Sequence, residues 1–224
     1  MRRALSVVWL GALSATLTAG CAAHRPEPTA TAPAEAPNLA RGKPYTLSPA
    51  PNYAPCTDAG DQTDLTDGVT ATIADGRRGV GGRWWGLKST VGWSRPYLPI
   101  EITVDLGEVQ PIGGAAVHAA AGEAGVPWPI SIAVLISDDD KTYRLVGDLV
   151  DLDEGPLPPP YGEYTTHTFR ARGLAARGRY VRFVVLAGGG FFFCDEVEVY
   201  PGEAGSPAPS AGPVVSTKEI VDPL

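Results

Sequence analysis

The 224-residue chain contains one methionine, three histidines and three cysteines. So small a stock leaves little material for a histidine-rich metal centre, and no C-x-x-C is present to suggest redox or zinc chemistry. G-x-S-x-G and H-E-x-x-H are missing too, and no spacing of carboxylates selects a glycosidase pair. Gly76-Arg77-Arg78-Gly79-Val80-Gly81-Gly82 is glycine-rich but follows no strand-to-helix pattern, so it is not read as a phosphate cradle. These absences argue against a stand-alone enzyme. Acidic residues outnumber basic ones, 25 to 18, for a net charge of −7, which removes the electrostatic grip that nucleic acid binding needs. No twelve-residue stretch carries an apolar stripe of period 3.6, so a helical bundle is also excluded. What the chain does have is 27 glycines and 22 prolines within a composition that is 44% hydrophobic. That combination suits short strands joined by turns around a real core.

The first twenty residues read as an export signal. Arg2 and Arg3 form the positive end, Val7 to Leu13 begin an apolar run, and small residues precede Cys21. Leu17-Thr18-Ala19-Gly20-Cys21 resembles a bacterial lipobox, in which the cysteine is acylated and the preceding peptide removed. The competing reading is a cleaved secretory signal with a coincidental cysteine. Acylation at Cys21 implies lipid anchoring to a membrane of the bacterial cell envelope, at roughly 0.8 kcal/mol per buried methylene. Removing residues 1–20 leaves 16 basic residues against 25 acidic, or −9. Residues 21–37 form a Pro/Ala/Thr tether with too little apolar surface to fold. Residues 202–224 have similar composition and read as a disordered tail, which leaves one folded domain over residues 38–201.

Within that domain, Ile100 to Leu106 and Val197 to Tyr200 alternate apolar and polar, as half-buried strands do. Ile112 to His118, Ile130 to Ile136, Tyr143 to Val146, Tyr164 to Phe169 and Tyr180 to Leu186 complete the set. Ser137 to Lys141 sits between two of these as a hairpin turn. The expected fold class is all-β, a jelly-roll β-sandwich of two antiparallel sheets.

The order of short motifs resembles the discoidin domain, also called the coagulation-factor type C domain. Asn38-Leu39-Ala40-Arg41-Gly42-Lys43-Pro44 is similar to the family's opening, and Leu65-Thr66-Asp67-Gly68 to its acidic loop. Ile102-Thr103-Val104-Asp105-Leu106-Gly107 resembles its "V-D-L-G" strand. Ser137-Asp138-Asp139 resembles its hairpin, with Asp140 where glycine is usual. Arg179-Tyr180-Val181-Arg182 and Asp195-Glu196-Val197-Glu198-Val199-Tyr200 match its closing strands. The resemblance covers essentially all of residues 38–200 and implies a galactose-binding-like sandwich.

The same resemblance implies one structural calcium, held by the Asp67 and Glu196 carboxylates with the backbone of Leu65 and Thr72. Calcium takes six to eight oxygens, and an acidic glycine-containing loop can supply them; Asp58, Asp61 and Asp64 make that loop more acidic. If Asp67 and Glu196 share an ion, Cys56 and Cys194 lie in neighbouring loops. Export then favours a disulfide between them, against the alternative of two buried thiols. The family's loops imply a glycan or polysaccharide partner, with Trp128, Tyr97 and His118 as the expected contacts. For each of them, core packing or a structural role is the competing reading, as it is for Trp84, Trp85 and Trp93. The functional expectation is therefore a non-catalytic, sugar-binding module on a membrane-anchored lipoprotein. A protein-docking or adhesion module, or a structural envelope domain, is the rival on the same fold.

Overall fold

The computed structural model describes residues 37–205 and 213–216. The signal segment, Cys21 and nearly all of the tether lie outside the described residues. The described residues form seven strands: β1 (Tyr45–Ser48), β2 (Val91–Ser94), β3 (Ile100–Ala121), β4 (Ser131–Ser137), β5 (Arg144–Asp148), β6 (Thr165–Leu186) and β7 (Phe191–Pro201). There is no α-helix among the described residues.

β3 and β6 are 22 residues each and pair antiparallel along their whole length, from Ile100 opposite Val185 to Ala121 opposite Thr165. A straight strand of that size would run about 70 Å, too long for one pass through a small domain. The pair bends instead. The ladder breaks register between Asp105 and Gln110 and again between Ile112 and Gly114. Gly107 and Gly173 take left-handed backbone at the bend, φ +90° and +72°. Asp105 fixes this corner: its Oδ1 accepts from Gly107 N at 2.8 Å, and its two oxygens accept from Arg179 Nε and Nη2, both at 2.6 Å. The guanidinium holds the Asp105 carboxyl below the usual carboxylate range. The "V-D-L-G" and "R-Y-V-R" motifs are thus the two halves of one clamp.

Bending divides the ladder between two sheets. The N-terminal half of β3 lies between β1 and the C-terminal half of β6, which continues through β4 to β5. Its C-terminal half lies between β7, which carries β2, and the N-terminal half of β6. Ile102, Val104, Val134 and Phe183 of the first sheet meet Val117, Phe169, Val197 and Val199 of the second in one core. The result is a jelly-roll β-sandwich of antiparallel strands.

Both outer faces carry a cover. Five 3-10 turns between Ala59 and Gly86 lie over the second sheet and bring Trp84 and Trp85 against Phe193, Ala120 and Ala121. Trp84 Nε1 donates to Ala71 O at 2.8 Å, and Ala71 N donates to Asp195 Oδ2 at 2.7 Å, which pins the cover to β7. Over the first sheet, Val215 packs beside Leu135, Tyr143 and Val184. Val214 bridges to Arg144, and Val215 N donates to Tyr143 O at 3.2 Å. Residues 213–216, inside the segment expected to be a disordered tail, are therefore bonded to the body.

Two motif details acquire reasons. The opening Asn38 is a clasp: its Oδ1 accepts from Ala40 N and Val199 N at 3.0 and 3.1 Å, and its Nδ2 donates to Glu196 Oε1 at 3.2 Å. Asp140, where the family pattern has glycine, adopts φ +59°. Aspartate tolerates that backbone better than most residues, and its carboxylate is engaged by Tyr143 Oη and by Arg182 Nη2.

Candidate functional site

The loops 95–99, 122–130, 154–163 and 187–190 gather at one end of the sandwich. Arg95 N donates to Gly190 O at 2.7 Å, and Gly125 N to Tyr161 Oη at 2.8 Å. Trp128 Nε1 donates to Pro159 O at 2.8 Å. Gly188 sits so close to Trp128 that a Cβ there would stand 2.1 Å from the Trp128 carbonyl oxygen, so only glycine fits. At this end Tyr97 is 88% exposed and Tyr161 58% exposed. Leu98, Ile130 and Leu157 are exposed beside them. Gly125, whose amide fixes Tyr161, borders the Phe191 ring, next to the Gly190 that fixes Arg95.

Of the expected sugar contacts, Tyr97 alone is presented openly. Trp128 is half-buried and packs edge-on against His167 and Phe169, with centroids 5.8 Å apart in both cases. It touches both main apolar clusters and closes the core beneath the loops. His118 corrects the expectation of a surface contact. It is 9% exposed, lies under Trp84, and places Nδ1 2.5 Å from Asp195 Oδ1. Burial raises the Asp195 pKa, and the His118 bond opposes that rise. Trp84, Trp85 and Trp93 are core residues. Tyr161 is not among the residues expected from the sequence; its place in Pro158-Pro159-Pro160-Tyr161-Gly162, a loop signature with an aromatic, is the available signal.

At the acidic loop, Glu196 is buried between Gly68 and Asn38. Its Oε2 accepts from Gly68 N at 3.1 Å and its Oε1 from Asn38 Nδ2. Burial, with the charge of nearby Asp67 adding to it, pushes Glu196 up to about 8. Asp67 is exposed and accepts from Val69 N at 2.7 Å. Two adjacent carboxylates are a donor set that a hard cation would neutralise. Thr72 is otherwise occupied, its carbonyl accepting from Asp75 N and Gly76 N and its hydroxyl donating to Asp75 Oδ2. The carboxylate pair suits a hard cation such as calcium.

The expected disulfide is absent. Cys56 and Cys194 are both buried free thiols. Val91 lies opposite Cys194 in the β2–β7 ladder, and both side chains enter the sandwich core. Gly92 and Phe193 face the other way, and a Cβ on Gly92 would stand 2.8 Å from Cys56 Sγ. The strand backbones therefore stand between the two sulfurs, because successive strand residues point to opposite faces. Burial pushes the Cys56 thiol up to about 12 and Cys194 well above its ordinary value.

No family model matches the chain, and no curated protein matches it. Solved structures do. Chitosan-binding module 1 of a chitosanase/glucanase from Paenibacillus sp. IK-5, in a selenomethionine-labelled point mutant, is 20% identical, covering 74% of this chain and 99% of its own, with a TM-score of 0.45. The module CpGH89CBM32-5 of Clostridium perfringens, in complex with GalNAc-β-1,3-galactose, is 18% identical over 70% of this chain and 93% of its own, at 0.42. A Streptococcus pneumoniae fucose-binding module is 16% identical over 75% and 96%, also at 0.42. At such identity and superposition, these likenesses carry no ligand over to this chain.

Proposed function

We propose that the chain is a non-catalytic carbohydrate-binding domain of an exported lipoprotein, with its sugar site on the loop end that carries Tyr97 and Tyr161. The observation that carries this reading is Tyr97: an aromatic ring almost wholly in water, on a short loop tied to the scaffold through Arg95 and Gly190. Such a ring gives nothing to the core. It offers an apolar face for the C–H side of a sugar and a hydroxyl for its rim. Stripping water from sugar hydroxyls offsets most of the gain, so constants from millimolar to micromolar, about −4 to −8 kcal/mol, are expected. Both described histidines are paired with aspartates, His118 with Asp195 and His167 with Asp153.

Anchoring completes the reading. Leu39 N donates to Val199 O, near the end of β7 remote from Phe191, so the chain enters the body opposite the Tyr97 loops. A calcium ion beside Asp67 and Glu196, with the Leu65 backbone, would neutralise the buried carboxylate and steady the Asn38 turn.

A polysaccharide panel with the full chain tests the sugar site, and labelled fatty acid with wild type and Cys21→Ser tests the anchor. A folded protein that binds no glycan would move the reading to a protein partner, for which Leu98, Ile130 and Leu157 are exposed on the same end. Unlabelled wild type would remove the lipid.

A further inference from the structure

Among the described residues, every buried side-chain oxygen or nitrogen left without a hydrogen-bond partner falls within eight residues of chain. They are Thr57 Oγ1, both carboxylate oxygens of Asp61, and Asp64 Oδ2. Buried polar atoms are almost always paired, so a local concentration of exceptions calls for a missing partner. Asp61 is only 5% exposed. Its carboxylate lies with those of Asp58 and Asp64 such that one oxygen from each falls within 4.8 Å of the others. Three like charges gathered so closely, one of them buried with neither oxygen bonded, oppose the fold unless something positive joins them.

Among the described residues, one positive group pairs with the cluster. Lys88 Nζ lies 3.8 Å from Asp58 Oδ2, but its hydrogen bonds go to the Cys56 and Thr57 carbonyls at 3.3 Å. One ammonium against three carboxylates leaves two charges unmet, the charge of a divalent ion. The scaffold holds the acids in place independently of any ion. Asp58 caps the first 3-10 turn through Gly60 N at 2.7 Å, and Tyr45 Oη donates to Asp61 O at 2.7 Å while accepting from Leu65 N at 3.2 Å. A cleft of about 440 Å³, lined by Tyr45, Leu47, Ala50, Pro51, Asp58 and Asp61, opens beside the cluster and gives an ion and its waters a way in.

We propose that Asp58, Asp61 and Asp64 hold a divalent, oxygen-seeking cation of the calcium class, at a site made of side chains other than Asp67 and Glu196. Three carboxylates and water from the cleft satisfy the six to eight oxygens that such an ion takes. A transition metal is disfavoured, since neither imidazole nor thiolate belongs to the cluster.

The test is calcium titration of the full-length protein after chelator treatment, by calorimetry and by terbium luminescence, in wild type, D61N, D64N and E196Q. The proposal expects D61N and D64N each to bind one ion fewer than wild type, or to weaken one site by at least about tenfold. E196Q should keep that site. D61N should also melt no lower than wild type in chelator, because an amide replaces an unpaired buried charge. Should D61N fail to fold, judged by near-ultraviolet circular dichroism, D64N carries the comparison, since its carboxylate is only partly buried. Wild type that binds no divalent ion, or equal binding in wild type, D61N and D64N, would overturn the proposal. Loss of all binding in E196Q alone would overturn it too, by assigning the ion to the Gly68 loop.

Discussion

Cys56 and Cys194 stand back to back across the β2–β7 ladder, one under the 3-10 cover with Phe193 and the other inside the sandwich with Val91. Both thiols are protonated at neutral pH and shielded, so neither is a nucleophile in the native state. A thiol reagent should therefore leave both unmodified in the native protein and modify both after denaturation. Reductant should leave the melting temperature unchanged. A melting temperature that falls on reduction would show a disulfide after all.

His118 and Asp195 form a buried pair beneath Trp84. Removing the imidazole strands a carboxylate whose remaining donors are backbone amides, Ala71 N among them. Breaking a buried pair from one side costs about 3–5 kcal/mol. His118→Ala is expected to lose that much in denaturant unfolding, and His118→Gln to recover part of it. Wild-type stability in His118→Ala, with weakened glycan binding, would return His118 to the sugar site.

Tyr97→Ala should shift stability by less than about 0.5 kcal/mol, the usual range for an exposed position, while weakening glycan binding. Trp128→Ala should behave in the opposite order. Its ring packs on His167 and Phe169, so truncation should cost about 3 kcal/mol whatever happens to the ligand. Equal binding by wild type and a folded Tyr97→Ala would remove Tyr97 from the site.

Asp139 in the β4–β5 hairpin accepts from Thr142 N, Lys141 N and Ser137 Oγ, which hold its carboxyl down at about 2. A pKa lower in the folded than in the unfolded chain stabilises at pH values above the unfolded one. That contribution is lost as pH falls from about 4 through about 2. Melting temperature against pH should fall less steeply over this window in Asp139→Ala than in wild type. Parallel curves would show that the hairpin bonds do not favour the ionised form.

The longer strands were legible because their alternation extends over enough residues to define a face: Ile100 to Leu106 lies wholly in β3, and Ile130 to Ile136 enters β4 at Ser131. β1, set between Pro44 and Pro49, and β2, with Gly92 inside it, escaped notice, being four residues each and too short for a period of two to declare itself. The cover of 3-10 turns was hidden for a related reason, since single turns leave no apolar stripe. The cysteine geometry needed the β2–β7 register, which neither strand reveals alone. Among the loop aromatics, composition treated Tyr97 and Trp85 alike. Only the third dimension puts one in water and stacks the other on Phe193.

Asn38 has a consequence for the order in which the molecule can be made. Its side chain joins the first described turn to Val199 and Glu196, across 161 and 158 residues of chain. β3 likewise waits for β6 and β7 before either of its halves is flanked on both sides. A polypeptide delivered N-terminus first can pair β1 with β3 early, but it cannot flank both halves of β3 until β6 and β7 have arrived. Contacts so distant in sequence fold slowly, because loop closure must precede any gain from pairing. The domain therefore cannot be completed before β7 is available, since the Asn38 side chain locks onto that strand.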